Sequence, residues 1–476
     1  MAQVNLTMRL FTIRWPLLPL ILLMLLCALL IRKYLHNSPI GPYTFVALLI
    51  VWLGLIWTTL NTRHAINTTL VTVATLIAFT IIEFGLFRVG LTYLPDHLRG
   101  HLPAYVYPLQ LGAKNSILPR NFTMLVGDSY AFGSGDWMLS HDADKDFHPR
   151  ERTYIKLLHD ATGRDVLNFA RPGASPPEGF LLHPIGVFEH LNDISLTSLD
   201  HPDTIIALFY AGNDFEDTLD FSRRYLHLES DAITFTKTLS RFDNAKGHLI
   251  QTYSDHFLPE ATKPFPITRF LVKSILFPDK TPFGVKRSAT IDLQSDTGVS
   301  SFGMWPQYDN VTILESSPRS SNLANAHGDR NYRVPSDLQP PPLTLTDSQI
   351  TYASELTARS LEKLQTHFPN SEIHVIYIPS VAGCYSFKAG QVITRSPYGR
   401  KVYFETSKTT LIRKKTRAFL LFSKVLKRHG FTPINSTDYF VKASPQGPLH
   451  GPQDWRHFNR AGQAALAKFL VKIVGA

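Results

Sequence analysis

Two polar motifs, far apart in the chain, contain the residue types of a nucleophilic active site. The motif Gly127-Asp128-Ser129 follows an apolar run over 122–126, and Asp454 precedes His457 by three positions. A serine at a strand-to-helix turn exposes its hydroxyl and has its amide at a helix N-terminus, which favours developing negative charge. Asp454 can accept a hydrogen bond from one ring nitrogen of His457 while the other nitrogen acts as general base. We therefore expect these residues to act together, although each motif alone is also typical of a helix cap or a surface pair.

Two further turns carry groups that suit a reacting carbonyl. The motif that runs from Asn168 to Gly173 ends in glycine, which lets a backbone approach a ligand closely. Asn213 has an amide that can donate to an oxyanion. Both turns also have an ordinary structural interpretation, because asparagine and glycine are common in turns. Asp128 and Asp214 are expected to hold their turns and to take no part in the chemistry.

The elements that must position these motifs alternate between strand and helix, which indicates a parallel sheet covered on both faces. Strands are predicted at 122–126, 166–170, 204–210, 372–378 and 431–434, and helices at 151–162, 179–191, 348–367, 407–427 and 459–474. The motifs then fall at the carboxyl edge of the sheet, where open α/β sheets bind ligands. The stretch 215–345 has no clear period, so we expect a long insertion there, either a lid or substrate wall or a surface excursion.

Taken in order, the four motifs resemble the SGNH/GDSL hydrolase family of serine esterases and acyltransferases. That family has blocks that run Ser, Gly, Asn and then Asp-x-x-His, and the segment from Asp454 to Gly462 looks especially like the last block. The resemblance covers most of residues 120–476. It implies a three-layer α/β/α domain of flavodoxin-like layering.

The resemblance also implies a role for each matching residue. Ser129 is expected to be the nucleophile, His457 the base, and Asp454 the group that orients His457. The expected oxyanion hole consists of the Ser129 and Gly173 amides together with the side chain of Asn213. No metal ion or other cofactor is expected.

The activity implied by this resemblance is ester cleavage through an acyl-serine intermediate. Membrane-anchored members of the family often modify cell-surface glycans, which makes O-acetyl groups on carbohydrate the expected substrate. The same residues would serve an O-acyltransferase that moves the acyl group to a glycan hydroxyl. A non-catalytic binding protein on a hydrolase fold is a further alternative, and the sequence leaves the oligomeric state open.

The first 99 residues contain three uncharged or nearly uncharged apolar runs, at 15–31, 43–60 and 68–87. Each run approaches the roughly 20 residues that cross a bilayer as a helix. We expect three spans and a multi-pass membrane protein, with its N-terminus in the cytoplasm and the domain at 100–476 outside the cytoplasm. The threonine-rich third run, which carries Glu83, could instead be interfacial or buried. Two spans would then place the domain on the same side of the membrane as the N-terminus.

The composition narrows the remaining possibilities. The formal net charge of +10 suits a surface near anionic lipid or an anionic substrate, and no nucleic-acid reading motif accompanies it. A basic helix at 407–427 could face lipid headgroups or solvent. Cys27 and Cys384 lack metal-ligand spacing and are not expected to form a disulfide.

Overall fold

The protein is known from a computed structural model, which describes residues 74, 112–115, 119–135, 153–194, 199–228, 232–257, 311–314, 322–325, 331–336, 338–388, 390–395 and 402–475. The predicted spans at 15–31 and 43–60 lie outside these residues, as does all of the span at 68–87 except position 74. No helix in the described ranges is long and apolar enough to cross a membrane.

The chain divides into two compact units. One comprises Met1–Leu102 with Glu260–Lys280, and the other comprises Pro103–Pro259 with Thr281–Ala476. All elements named below belong to the second unit, which contains both of the polar motifs that could do chemistry.

The described part of the second unit alternates strands and helices over most of its length. Its strands are β1 (Phe122–Gly127), β2 (Asp165–Asn168), β3 (Thr204–Tyr210), β4 (Val311–Leu314), β5 (Asn322–Asn325), β6 (Asn331–Val334), β7 (Glu372–Ile378), β8 (Gln391–Arg395), β9 (Tyr403–Ser407) and β10 (Ile434–Asn435). Its helices are α1 (Ser129–Phe132), α2 (Tyr154–Thr162), α3 (His183–Ile194), α4 (Asp214–Leu226), α5 (Ala232–Phe257), α6 (Asp347–His367), α7 (Lys408–Arg428), α8 (Thr437–Ala443) and α9 (Arg460–Val474).

The central sheet has five parallel strands in the order β2-β1-β3-β7-β10. This is the 2-1-3-4-5 order of flavodoxin-like folds, and its switch point lies between β1 and β3. Every residue of β1 and β3 is buried. Because successive side chains point to opposite faces of a sheet, both faces of these strands must be covered. The predicted α/β class with a parallel sheet is thus confirmed.

Helix packing completes the layers around this sheet. Helix α2 packs against α9, while α6 packs against both α4 and α7. One aromatic cluster in the core joins β3 to two helices: Phe209 contacts Phe215 of α4 at a ring-centroid distance of 4.8 Å and Phe422 of α7 at 4.3 Å. These contacts fix the carboxyl end of β3, where Asn213 lies.

The predicted strands at 204–210 and 372–378 and the predicted helices at 348–367 and 459–474 agree with the structure to within one residue. The predicted helix at 179–191 begins with a π-helical turn, Glu178–Leu182, that leads directly into α3. The last strand was placed too early, because β10 occupies only Ile434–Asn435.

The first part of the stretch from 215 onwards, whose sequence has no clear period, has regular structure that was not predicted. Helix α4 begins at Asp214 and α5 continues to Phe257, so regular structure extends more than forty residues beyond the predicted break. Strand β4 lies still further into the stretch and pairs antiparallel with β9, which also pairs antiparallel with β8. This second sheet was not predicted.

Candidate active site

Ser129 stands at the start of α1, directly after β1. Gly127 has a φ of +142°, and a Cβ there would lie 2.7 Å from the Leu208 carbonyl oxygen. Only glycine fits a turn this tight against β3. Asp128 caps the helix, since its Oδ1 accepts from the Tyr130 amide at 2.9 Å. The turn therefore leaves the Ser129 side chain half-buried at the carboxyl edge of the sheet.

Ser129, His457 and Asp454 form one continuous hydrogen-bonded chain. Ser129 Oγ lies 2.9 Å from His457 Nε2, and His457 Nδ1 lies 2.5 Å from Asp454 Oδ2. An ionised Asp454 accepts from Nδ1–H, which leaves the lone pair on Nε2 facing the serine hydroxyl. Ser129 Oγ also lies 3.4 Å from Asp128 Oδ2, but the hydroxyl has one proton and the contact to His457 is shorter.

The charge state of Asp454 suits this arrangement. Burial alone would raise the pKa of Asp454, but the hydrogen bond and charge of His457 and the Arg456 amide outweigh it and lower the pKa. The side chains of Asp454 and His457 keep about a fifth of their surface exposed, at 20% and 23%. An ionised carboxylate therefore faces the imidazole at neutral pH.

A buried chain of hydrogen bonds supports the segment that carries these two residues. Tyr385 Oη accepts from the Leu449 amide at 3.1 Å and lies 2.9 Å from His450 Nδ1. His450 Nε2 lies 3.4 Å from Tyr130 Oη, which donates to the Arg456 carbonyl at 2.7 Å. Each hydroxyl can thus accept one hydrogen bond and donate the next when His450 is neutral.

Burial keeps His450 in that neutral form. It lowers the His450 pKa to about 3, with the charge of Asp454 opposing the shift and that of His457 adding to it. The Tyr130 ring stacks on Tyr210 with centroids 3.9 Å apart and lies 5.6 Å from the His457 ring. Tyr130 therefore connects α1 to the segment that holds His457.

Gly173 lies in an exposed turn after β2, with a φ of +72°. A Cβ at this position would meet no atom within 4 Å, so the backbone conformation, and not lack of space, favours glycine. The Arg171 amide donates to the Gly127 carbonyl at 3.0 Å and ties this turn to the one that precedes Ser129. Arg171 also donates to Tyr253 of α5 at 2.5 Å.

Asn213 follows β3, at the N-cap of α4, and is partly exposed. Its Nδ2 donates to Asp217 Oδ2 at 2.6 Å. Burial raises the pKa of Asp128, and a hydrogen bond from the Asn213 side-chain amide to Asp128 opposes that shift. The amide therefore lies among carboxylates near Ser129. Because Asp217 and Asp128 face the two N–H groups of this amide, the predicted oxyanion contact requires one N–H to leave its carboxylate partner.

The other aspartates have structural contacts. Asp214 is buried, and its Oδ2 accepts from the Tyr210 amide at 2.7 Å, which closes the turn after β3. Burial, with the nearby charge of Asp128, raises the pKa of Asp217 well above its usual value. Asp128 and Asp214 hold their turns as predicted.

The structure thus brings Ser129, His457 and Asp454 into direct contact, and ties the Gly173 turn to β1 through Arg171. Sequence reasoning missed Tyr130, His450, Tyr385 and Asp217. The first three are linked across as many as 320 positions, so no local spacing could reveal them. Asp217 stands one helical turn after Asn213, a spacing that does predict contact within a helix.

No group of three or more His, Cys, Asp or Glu side chains in the described ranges is arranged to hold a metal ion. Comparisons with protein-family models, with curated proteins and with solved structures found no match to this chain.

Proposed function

We propose that this protein is a membrane-anchored serine esterase of the SGNH/GDSL type, which cleaves an ester through an acyl-serine intermediate. The observation that carries the proposal is the hydrogen-bonded chain from Ser129 Oγ through His457 to Asp454. Nucleophile, base and orienting carboxylate with this mutual geometry are the recurring requirements for acyl transfer.

In the first half-reaction, His457 Nε2 takes the proton of Ser129 as Oγ attacks the ester carbonyl carbon. The carbonyl electrons move to oxygen, and Asp454 stabilises the imidazolium that forms. Collapse of the tetrahedral intermediate breaks the bond to the alcohol oxygen, which receives the proton from His457. In the second half-reaction, His457 deprotonates a water molecule that attacks the acyl-serine carbonyl carbon. Collapse of this tetrahedral intermediate breaks the bond to Ser129 Oγ, which receives the proton from His457, and releases the carboxylic acid.

The proposed oxyanion hole combines two backbone amides with one side chain. Ser129 is the first residue of α1, and the first amides of a helix have no acceptor within the helix. The Gly173 amide lies in the turn tied to Gly127. Asn213 supplies one side-chain N–H, which exchanges its carboxylate partner for the substrate oxygen. Donors held in place before the reaction stabilise the developing charge without reorganising.

The substrate class follows from the family resemblance: O-acetyl groups on cell-surface carbohydrate. The location follows from the predicted spans, which place residues 100–476 outside the cytoplasm. A reporter that is active only outside the cytoplasm, fused after Ala476, should be active. Activity of a cytoplasmic reporter alone at that position would contradict the location without affecting the chemistry.

The test of the chemistry is acetate release from an O-acetylated polysaccharide by the full chain. Ser129→Ala should abolish release, whereas Ser240→Ala, which removes an exposed serine on α5, should leave it unchanged. Equal release by the Ser129 variant would refute the proposal. Release that depends on an added sugar acceptor, with the acetyl group recovered on that sugar, would assign the O-acyltransferase reaction to the same residues.

A further inference from the structure

Helix α7 has an unusual composition for a helix with a solvent-exposed face. Its 21 residues include eight Lys or Arg and no Asp or Glu. Two of its apolar side chains are also exposed, Ile412 at 45% and Leu420 at 54%. Within the described ranges, Tyr225 of α4 is the third exposed large hydrophobic residue, so two of the three lie on this one helix.

The exposed cations surround the exposed leucine. At 3.6 residues per turn, Arg413, Lys424 and Lys427 all point within about 40° of Leu420. All three are exposed, and their side chains make no hydrogen bond or ion pair with another described residue. We call Leu420 together with these three cations the α7 face.

Other cations of α7 have structural partners that hold the helix in place. Arg417 Nη2 lies 2.7 Å from Asp347 Oδ2, and Arg428 pairs with Glu355, both on α6. Lys415 donates inward to the Gly383 carbonyl at 3.1 Å. Carboxylates of α6 therefore pair with Arg417 and Arg428, while the cations around Leu420 face outward.

We propose that the α7 face docks on the anionic headgroups of a lipid bilayer, with Leu420 inserted at the boundary of the acyl chains. Basic residues around an apolar side chain are typical of helices that lie in a membrane interface. A soluble polyanion would contact the cations and leave Leu420 in water. An apolar protein partner would bury Leu420 and desolvate three cations without compensation. Of these three occupants, the anionic bilayer alone satisfies both groups, and this docking does not depend on the proposed esterase activity.

Site-specific fluorescence on the full chain in lipid nanodiscs tests this docking. In a Cys27→Ser background, Leu420→Cys is labelled with an environment-sensitive nitrobenzoxadiazole probe; Cys384 is fully buried. Tyr225→Cys is the matched control, because it labels the exposed hydrophobic residue that lies off α7. In nanodiscs that contain phosphatidylglycerol, emission from position 420 should shift to the blue and be quenched by brominated lipid. Emission from position 225 should do neither.

Charge variants separate specific docking from general attraction. Replacing Arg413, Lys424 and Lys427 by Gln should abolish quenching at position 420. A control that replaces Arg120, Lys237 and Lys468 by Gln removes the same charge from other exposed positions and should leave quenching unchanged. Absence of quenching at position 420, or equal quenching in pure phosphatidylcholine, would overturn the proposal. A probe response to soluble polyphosphate without lipid quenching would assign the face to a polyanion and would also overturn it.

Discussion

Replacing Asp454 by Asn changes one oxygen for an NH₂ group at the orienting position. In the native protein the two Asp454 carboxylate oxygens have different partners. Oδ2 accepts from His457 Nδ1 at 2.5 Å, and Oδ1 accepts from the Arg456 amide at 2.8 Å. An asparagine keeps one oxygen, and the Arg456 N–H requires it. The NH₂ group must then face Nδ1 and donate to it, which moves the imidazole proton to Nε2, opposite Ser129.

This tautomer cannot accept the serine proton, so the loss should be large. An aspartate-to-asparagine change at the corresponding position of a serine protease triad lowers kcat by about 10⁴. We expect a loss of about 10³–10⁴ here, equivalent to about 4–5.5 kcal/mol of transition-state stabilisation at about 1.4 kcal/mol per factor of ten. The bond to Arg456 survives and the side chain is partly exposed, so thermal stability should change little.

The assay is kcat for acetate release, measured with the melting temperature on the same preparations of full chain. His457→Ala should lose at least as much activity as Asp454→Asn, and the double variant should be little worse than His457→Ala, because triad members act as a unit. Asp347→Asn, which alters an exposed carboxylate on α6, should keep normal kcat. Near-normal kcat for Asp454→Asn, or fully multiplicative losses in the double variant, would refute the reasoning.

Two further predictions concern groups around this chain. Asn213→Ala should lower kcat by about 10²–10³ with little change in KM, through loss of one oxyanion donor. Asn192→Ala, which removes an asparagine of α3 bonded to the Leu199 backbone, should lower only stability. Normal kcat for the Asn213 variant would remove Asn213 from the site. His450 has a folded pKa of about 3. Because its unfolded pKa is about 6.5, the unfolded state binds more protons between these values, and stability falls as the pH drops below 6.5, by about 2 kcal/mol at pH 5. Urea unfolding measures the free energy of unfolding that is lost between pH 8 and pH 5. This loss should be smaller for His450→Gln than for wild type by about 2 kcal/mol. Equal losses would contradict a buried, neutral His450.

The parts of the fold that could be predicted are those in which local pattern and tertiary burial agree. Strand β3 is an unbroken apolar run, and a fully buried parallel strand requires such a run. Helix α5 could not be predicted, because its sequence is rich in Thr, Ser, Asp and Asn and contains Gly247. Buried anchors such as Phe242 and Tyr253 hold it on its neighbours. Strand β8 was missed because its five residues do not alternate between apolar and polar, although Val392 and Thr394 are buried at a period of two.

The candidate site divides in the same way. Asp454 and His457 are close in sequence, and Ser129 follows a clear strand, so their meeting follows from motif order and sheet topology. The hydrogen bonds of His450 with Tyr385 and Tyr130 could not be predicted, because they join side chains that are far apart in the sequence. The hydrogen bond from Asn213 to Asp217 could have been predicted, because residues four positions apart lie next to each other on a helix.

The most direct test of the central claim is the identity of the residue that a fluorophosphonate probe modifies on the full chain. Peptide mass analysis should find the adduct on Ser129, with labelling lost in Ser129→Ala, strongly slowed in His457→Ala, and unchanged in Ser240→Ala. An adduct on another serine, or undiminished labelling of the Ser129 variant, would contradict the assignment of Ser129 as the nucleophile.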